Sequence, residues 1–316
     1  SLKEYEPDGN FTFQGSMKGT LGDLSANLQF SAPRLAVKVS QATGGNKDAT
    51  PSKSVFEFMD MKVQAEKKNN DIKGSGNLEI KKGVVMAAAF EKMQAQFDYQ
   101  NDVLGIHGFQ AHAFQGDISM EGKVKPGKLH WIMKPVITNI NMAEVVDTLT
   151  QYKGLFKGIF SGSFTANSSA DDTQKGAIDA TGSFQLDHGE IMNVNLVDTV
   201  MESLFGIKGV SMFAEKEGSE LEKQKITRFD SMDGDFSMTR NTINLKKVAL
   251  HNIHTVKITE TDASIDGLVD CNANSLNLKG KIVLSQEYSA RLAKKTEQLS
   301  ALLNPESRMV LPISIT

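Results

Sequence analysis

Cysteine is almost missing from this chain, which has one, Cys271, in 316 residues. An intramolecular disulfide and a thiolate cluster are thereby excluded, and Cys271 reads as a small packed side chain. Also lacking are any uncharged apolar run near the ~18 residues of a membrane helix and any basic-plus-apolar leader. Neither charge dominates, since 35 Lys+Arg face 38 Asp+Glu and leave a formal charge of -3. Without a basic surplus the diffuse attraction behind phosphate-backbone binding is weak, so nucleic acid is not an expected partner. The first residue is Ser1 rather than Met, from which a processed chain or excised piece is expected, with any anchor outside it.

What is present is apolar and alternating. Hydrophobic residues make up 40%, and 17 of the aromatics are Phe, with 14 Met beside them. Phe and Met fill an oily surface without needing a hydroxyl partner. Their period is two, the signature of strands that bury one face. A hairpin turning at Gly22-Asp23 puts Phe13, Met17, Leu21, Leu24, Leu28, Phe30 and Ala32 on one side. Gln14, Ser16, Lys18, Ser25, Asn27 and Gln29 fall on the other. A turn at Gly116-Asp117 likewise groups Phe109, Ala111, Ala113, Ile118, Met120 and Val124, but leaves Phe114 on the wet side and Gln115 on the oily one. A third hairpin, at Asn101-Asp102, pairs Tyr99 with Leu104 and Phe97 with Ile106, and then requires a bulge near Gly105 or Gly108.

A pattern Gly-x-apolar-x-apolar-x-x-(Gly/Asn)-x-apolar recurs at Gly76–Val85, Gly182–Ile191 and Gly234–Ile243. Its eighth residue, Gly83, Gly189 or Asn241, tolerates positive φ and so predicts a tight turn pairing Ile80 with Val85, Leu186 with Ile191 and Met238 with Ile243. In the third copy Phe236 then meets Leu245, and Asp235 meets Lys246. Helical patterns are few. Asn141 caps Met142–Tyr152 and Asn195 caps Leu196–Phe205, while Gln286–Leu303 stops before Asn304-Pro305. Polar loops are expected at Gln41–Ser54, Asn167–Lys175 and Ala214–Lys225. The expected fold is mainly β, a curved antiparallel β-groove or half-barrel sheet with two or three short helices. It divides into an N-terminal hairpin region, 1–140, and a C-terminal β region with capping helices, 141–316.

Four segments carry a resemblance: Phe109–Val124 (FQAHAFQGDISMEGKV), Thr181–Leu196 (TGSFQLDHGEIMNVNL), Phe229–Leu245 (FDSMDGDFSMTRNTINL) and the closing Leu311-Pro312-Ile313-Ser314. Together they resemble the C-terminal region of the AsmA-like family of Gram-negative envelope proteins, related to TamB and to bridge-like lipid-transfer proteins. The resemblance covers nearly the whole chain, through low-information β patterns, and departs from full-length members in lacking their N-terminal membrane helix. It implies a long open β-groove, periplasmic and anchored in the inner membrane through a segment absent from this chain. The implied partners are phospholipid acyl chains and envelope proteins at either end. No catalytic residue and no cofactor come with it.

The candidate lining of such a groove is Phe13, Met17, Leu28, Phe30, Phe109, Ile118, Met120, Phe184, Leu186, Ile191, Phe236, Met238 and Ile243. Alternation alone allows two outcomes, a lined groove or a closed core. A path across about fifteen strands at ~4.8 Å each would run roughly 70 Å. The rival reading is a structural or interaction module for outer-membrane assembly whose apolar face is sealed. Other motifs point away from chemistry. His251-x-x-His254 lies in strand or loop without a third ligand, and His107 and His112, five apart, are expected on opposite faces. The Gly-Ser pairs at Gly15, Gly74, Gly162 and Gly182 lack the context of a nucleophile elbow, and Gly74-Ser75-Gly76 lacks a third glycine and a following helix. Lys81-Lys82 and Lys246-Lys247 read as solvated edge-strand charges.

Overall fold

The computed structural model describes residues 8–20, 22–39, 52–69, 71–85, 87–126, 130–168, 178–193, 226–240, 242–254, 260–270, 273, 275–295 and 297–315. The fold is mainly β. Its strands are β1 (Asp8–Thr20), β2 (Asp23–Val39), β3 (Ser52–Lys68), β4 (Asp71–Val85), β5 (Ala88–Gln100), β6 (Val103–Ala113), β7 (Gly116–Lys125) and β8 (His130–Asn141). After helix α1 (Met142–Leu149) come β9 (Phe156–Ser168), β10 (Ile178–Met192), β11 (Ile226–Thr239), β12 (Thr242–His254), β13 (Thr261–Asp270) and β14 (Ser275–Val283). Helix α2 (Gln286–Lys295), a 3-10 turn (Glu297–Leu302) and β15 (Val310–Ile315) close the order. Each strand is hydrogen-bonded to its sequence neighbours in one antiparallel, unclosed sheet of 15 strands. Two compact units divide the chain, 1–151 with 163–176, and 152–162 with 177–316.

The expected hairpin at Asn101-Asp102 is present, with Tyr99 opposite Leu104 and Phe97 opposite Ile106. So is the one between Thr239 and Thr242, where Met238 meets Ile243, Phe236 meets Leu245 and Asp235 meets Lys246. Two other turns lie elsewhere than expected. Thr20 pairs with Asp23, so Asp23 belongs to β2 and the first hairpin does not turn at Gly22-Asp23. Ala113 pairs with Gly116, so the next turns at Phe114-Gln115, with φ of 50° and 64°. That explains why these two residues broke the alternation: they belong to neither strand. Both errors shift the register by an even number of residues, which keeps every side chain on its expected face.

The first two repeat copies do not turn at all. β4 runs through Gly83 and β10 through Gly189, with Ile80 opposite Met93 and Leu186 opposite Met232. Here glycine answers a cross-strand aromatic. A Cβ on Gly83 would stand 2.6 Å from the far end of the Phe90 ring, and one on Gly76 would stand 2.5 Å from that of Phe97. Phe229 covers Gly189 in the same way.

A second device was missed in the sequence. At several points two consecutive residues both face away from the apolar side, and the second often has positive φ. Glu57-Phe58, Glu91-Lys92, His107-Gly108, Thr138-Asn139, Asp187-His188, Lys246-Lys247 and His251-Asn252 are such doublets, with φ at the second residue between 50° and 57°. Pro33-Arg34 and Lys81-Lys82 behave alike in burial. Across β2 to β5 the doublets stand in line, and one extra residue relative to β1 and β6 is taken up there. Such bulges bend a strand and re-aim its side chains. Neither lysine pair therefore marks an edge, because β4 and β12 are interior strands. The bulge expected at Gly108 is real, and it turns His107 to the same outer face as His112, correcting the opposite-face expectation.

Asn141 caps α1, its side chain accepting from the Ala143 and Glu144 amides, but the helix ends at Leu149, three residues early. The expected Gln286–Leu303 helix is split into α2 and the 3-10 turn. β3 begins at Ser52 and β9 runs through Ser168, each trimming a predicted loop. The remainder of those loops, the Asn195-capped helix and Cys271 lie outside the described residues.

Candidate functional site: an apolar sheet face

In the first unit, directly opposed residues form rows across the strands. One row runs Gly15, Leu28, Val63, Gly76, Phe97, Ile106, Gly122 and Met133, from β1 to β8. Seven inter-strand steps of ~4.8 Å give it a length of about 34 Å. A parallel row contains Met17, Ala26, Ala65, Gly74, Tyr99, Leu104, Val124 and Trp131. No member of either row is fully buried. Phe13 is 59% exposed and Met17 66%. Apolar faces of this extent on a protein surface mark binding sites more often than chance does. Deeper packing occurs where Ile80, Phe90 and Ala113 gather Phe56, Met59, Met93 and Ile118.

The glycines set the height of this floor. Side chains on a sheet ordinarily stand away from it. Phe97, with its ring end above Gly76, and Met133, with its sulfur above Gly122, lie across the neighbouring strand instead. Phe90 does so over Gly83. The lining thus combines large apolar area with low relief.

The second unit divides in two. Leu186, Met232, Leu250, Ala263, Ile282 and Leu311 oppose one another from β10 to β15, skipping no strand. All but Met232 are buried, Leu186 at 1% exposure. Tyr288, Leu292, Leu299 and Met309 are buried too, so this end is a closed core. Ser289 stitches it, donating to the Ser285 carbonyl at 2.7 Å and accepting from the Met309 amide at 2.8 Å. Nearer the β11–β12 turn, Met238, Ile243, Val269 and Leu276 form a row that stays half-buried or exposed.

Of the candidate lining residues, Phe13 and Met17 are exposed and Leu186 is buried. Leu28, Phe30, Phe109, Ile118, Met120, Phe184, Ile191, Phe236, Met238 and Ile243 are half-buried. Phe160 and Phe184 stack at 6.4 Å between centroids.

The outer face is mostly polar, with Phe58, Ile132, Val136 and Leu268 exposed among its charged and amide side chains, and several of its ionic groups are paired. His254 and Asn252 both bond the Asp230 carboxylate, at 2.9 and 3.0 Å, and hold its pKa below the ordinary value. His251 reaches Asp233 at 3.2 Å, and Arg308 bonds Asp262 at 2.9 Å. His107 pairs with Asp98 and His112 with Asp117. Glu190, bridged by Lys157 and Arg228, and Asp60, bonded by Gln29 and Ser31, also have lowered pKa values. Among the described residues, no group of three or more His, Cys, Asp and Glu side chains could hold a metal. A cleft of about 420 Å³ lies beside the exposed Phe58, whose ring carries the Lys81 ammonium at 5.6 Å.

The arrangement defines a class: an unclosed antiparallel sheet with an apolar face left partly open and a mostly polar second face. Comparison with family models, with curated proteins and with solved structures found no match.

Proposed function

We propose that this chain is a non-enzymatic lipid-binding protein of the cell envelope, its apolar sheet face accommodating or conducting phospholipid acyl chains between inner and outer membrane. The observation that carries the reading is the apolar row from Gly15 to Met133, which crosses eight strands without a fully buried member. An acyl chain laid on it gains ~0.8 kcal/mol for each methylene removed from water, so area holds the ligand and head-group selectivity is low. The resemblance to the AsmA-like family supports the same function and a periplasmic place, with anchoring by a segment outside this chain.

Mass spectrometry of organic extracts from the purified chain tests it. Stoichiometric acyl lipid is expected, and transfer of a fluorescent phospholipid between vesicles should rise with protein concentration. A lipid-free preparation that neither binds nor transfers lipid overturns the reading. That outcome favours a structural module for outer-membrane assembly, which the closed core around Leu250 and Ile282 supports.

A further inference from the structure

Two rows of outward residues run side by side across β2 to β5 in the first unit, and they treat charge differently. In one, Arg34, Glu57, Lys82 and Glu91 are directly opposed in turn, so their signs alternate. Opposite charges in direct opposition support a sheet, and the Lys82 ammonium stands 3.1 Å from the Glu57 carboxylate. The other row follows from the bulge doublets. Ala32 pairs with Met59, Met59 with Ile80 and Ile80 with Met93, so Pro33, Phe58, Lys81 and Lys92, lying between the two sets of pairs, fall in line as well. Lys81 and Lys92 therefore face each other with no carboxylate in their row. Like charges so placed weaken a sheet.

Phe58 adds a second cost. It is 54% exposed and holds a φ of 54°, a strained conformation for a bulky residue. Its ring carries the Lys81 ammonium at 5.6 Å. Phe58, Lys81 and Lys92 line the cleft of about 420 Å³, with Lys82, Glu79, Glu91 and Gln94 supplying the rest of its polar wall.

We propose that this cleft binds a phosphate group, held between the Lys81 and Lys92 ammonium groups. Each ammonium offers three donors and no acceptor, and phosphate oxygens take short, charge-assisted bonds from both, turning one repulsion into two attractions. Glu79 and Glu91 at the flanks repel further anionic charge and can accept from an amine or hydroxyl on the same ligand. They restrict the site to a single phosphate ester, whose carbon can rest on the Phe58 ring. Soluble phosphate esters and phospholipid head groups share that chemistry. The site lies on the face away from the apolar rows, so it stands whether or not acyl chains occupy them.

Calorimetric titration of the full chain with glycerol phosphate, beside sedimentation with phosphatidylglycerol vesicles, tests the site and separates the two sources. Saturable binding of glycerol phosphate marks a soluble ester, and vesicle binding alone marks a head group. In either arm Lys92→Gln should weaken binding by about tenfold, the loss of one hydrogen bond between charged groups. Lys134→Gln removes a charge from the same face on β8, opposite Glu121, and should leave binding unchanged. Absence of binding in both arms, an equal loss in the two variants, or vesicle binding that Lys92→Gln leaves intact would overturn the proposal.

Discussion

The apolar rows of the first unit and the closed end of the second are written in the same alternating code, yet one is left half-exposed and the other is sealed. Leu28, Val63 and Phe97 occupy alternate apolar positions along their strands, as Leu186, Leu250 and Ile282 do along theirs. Only the latter are buried. Period-two alternation therefore fixes which side is apolar, and the covering of that side is decided by other parts of the chain. At the closed end those include Tyr288, Leu292 and Leu299, buried with it from α2 and the 3-10 turn.

The comparison is broken most directly by truncating one leucine in each region. Leu250→Ala, at 2% exposure, should cost about 2–5 kcal/mol, because a cavity adds to the lost transfer energy. Leu28→Ala opens no cavity and should cost about 1 kcal/mol or less. Equal shifts in chemical denaturation would mean that the first unit's face is covered in solution. Next in size is Gly76→Ala. The new methyl would meet the Lys62 carbonyl oxygen of the neighbouring strand as well as the Phe97 ring, and overpacking of that kind costs about 1–3 kcal/mol or more. It should also lower lipid retention by raising the floor, although no apolar area is lost.

Much of this was legible. Two hairpins are legible in register, the one at Asn101-Asp102, where Asn and Asp accept the left-handed turn conformation, and the one that pairs Met238 with Ile243. The turn at Phe114-Gln115 was not, because bulky residues seldom take positive φ and only the strands on either side force them to. Gly83 and Gly189 misled for the opposite reason. A glycine can be placed for its missing side chain as well as for its backbone freedom, and the partner rings, Phe90 and Phe229, lie on the next strand. The doublets carry a local signal that was overlooked. Two successive charged residues inside an alternating run, as at Lys81-Lys82 and Lys246-Lys247, mark a bulge that turns both outward. Exposure of the candidate lining residues was not readable, since nothing in Met238 or Ile243 states what lies above them.

Phe236→Asp probes the half-open part of the second unit. Phe236 opposes Leu245 at a half-buried position, beside the outward Asp235 and Lys246. The hairpin should persist, with a smaller loss of melting temperature than Leu250→Ala causes, and retained lipid should fall sharply. Unchanged stability and retention together would contradict its placement on the apolar side.

Acid provides a gentler comparison, acting on the polar face alone. Asp60, Glu190 and Asp230 all titrate below their ordinary values, through hydrogen bonds from Gln29, Lys157 and His254 first of all. A carboxylate with a lowered folded pKa stabilises the fold above its unfolded pKa, about 3.9 for Asp and 4.3 for Glu, and loses that contribution as pH falls through the folded value. Stability from these groups should be level above about pH 5 and decline below about pH 4. Glu190→Gln should flatten that decline and weaken the fold slightly at neutral pH. An equally steep decline in the variant would remove Glu190 from the account.

The smallest effect is expected from one substitution made in both regions. Met120 is half-buried opposite Phe109 on the open face, whereas Met309 is wholly buried at the closed end. Glutamine nearly matches methionine in length but carries an amide. At position 309 that amide would be buried without an assured partner, at about 1–3 kcal/mol. At position 120 it can reach water, so Met120→Gln should stay within about 0.5 kcal/mol of the unaltered chain. Its effect should appear in lipid binding, because the amide keeps water where a methylene chain would lie. A Met120→Gln chain as destabilised as Met309→Gln would show that the two regions are packed alike, and the open face would then have to be reassigned as core.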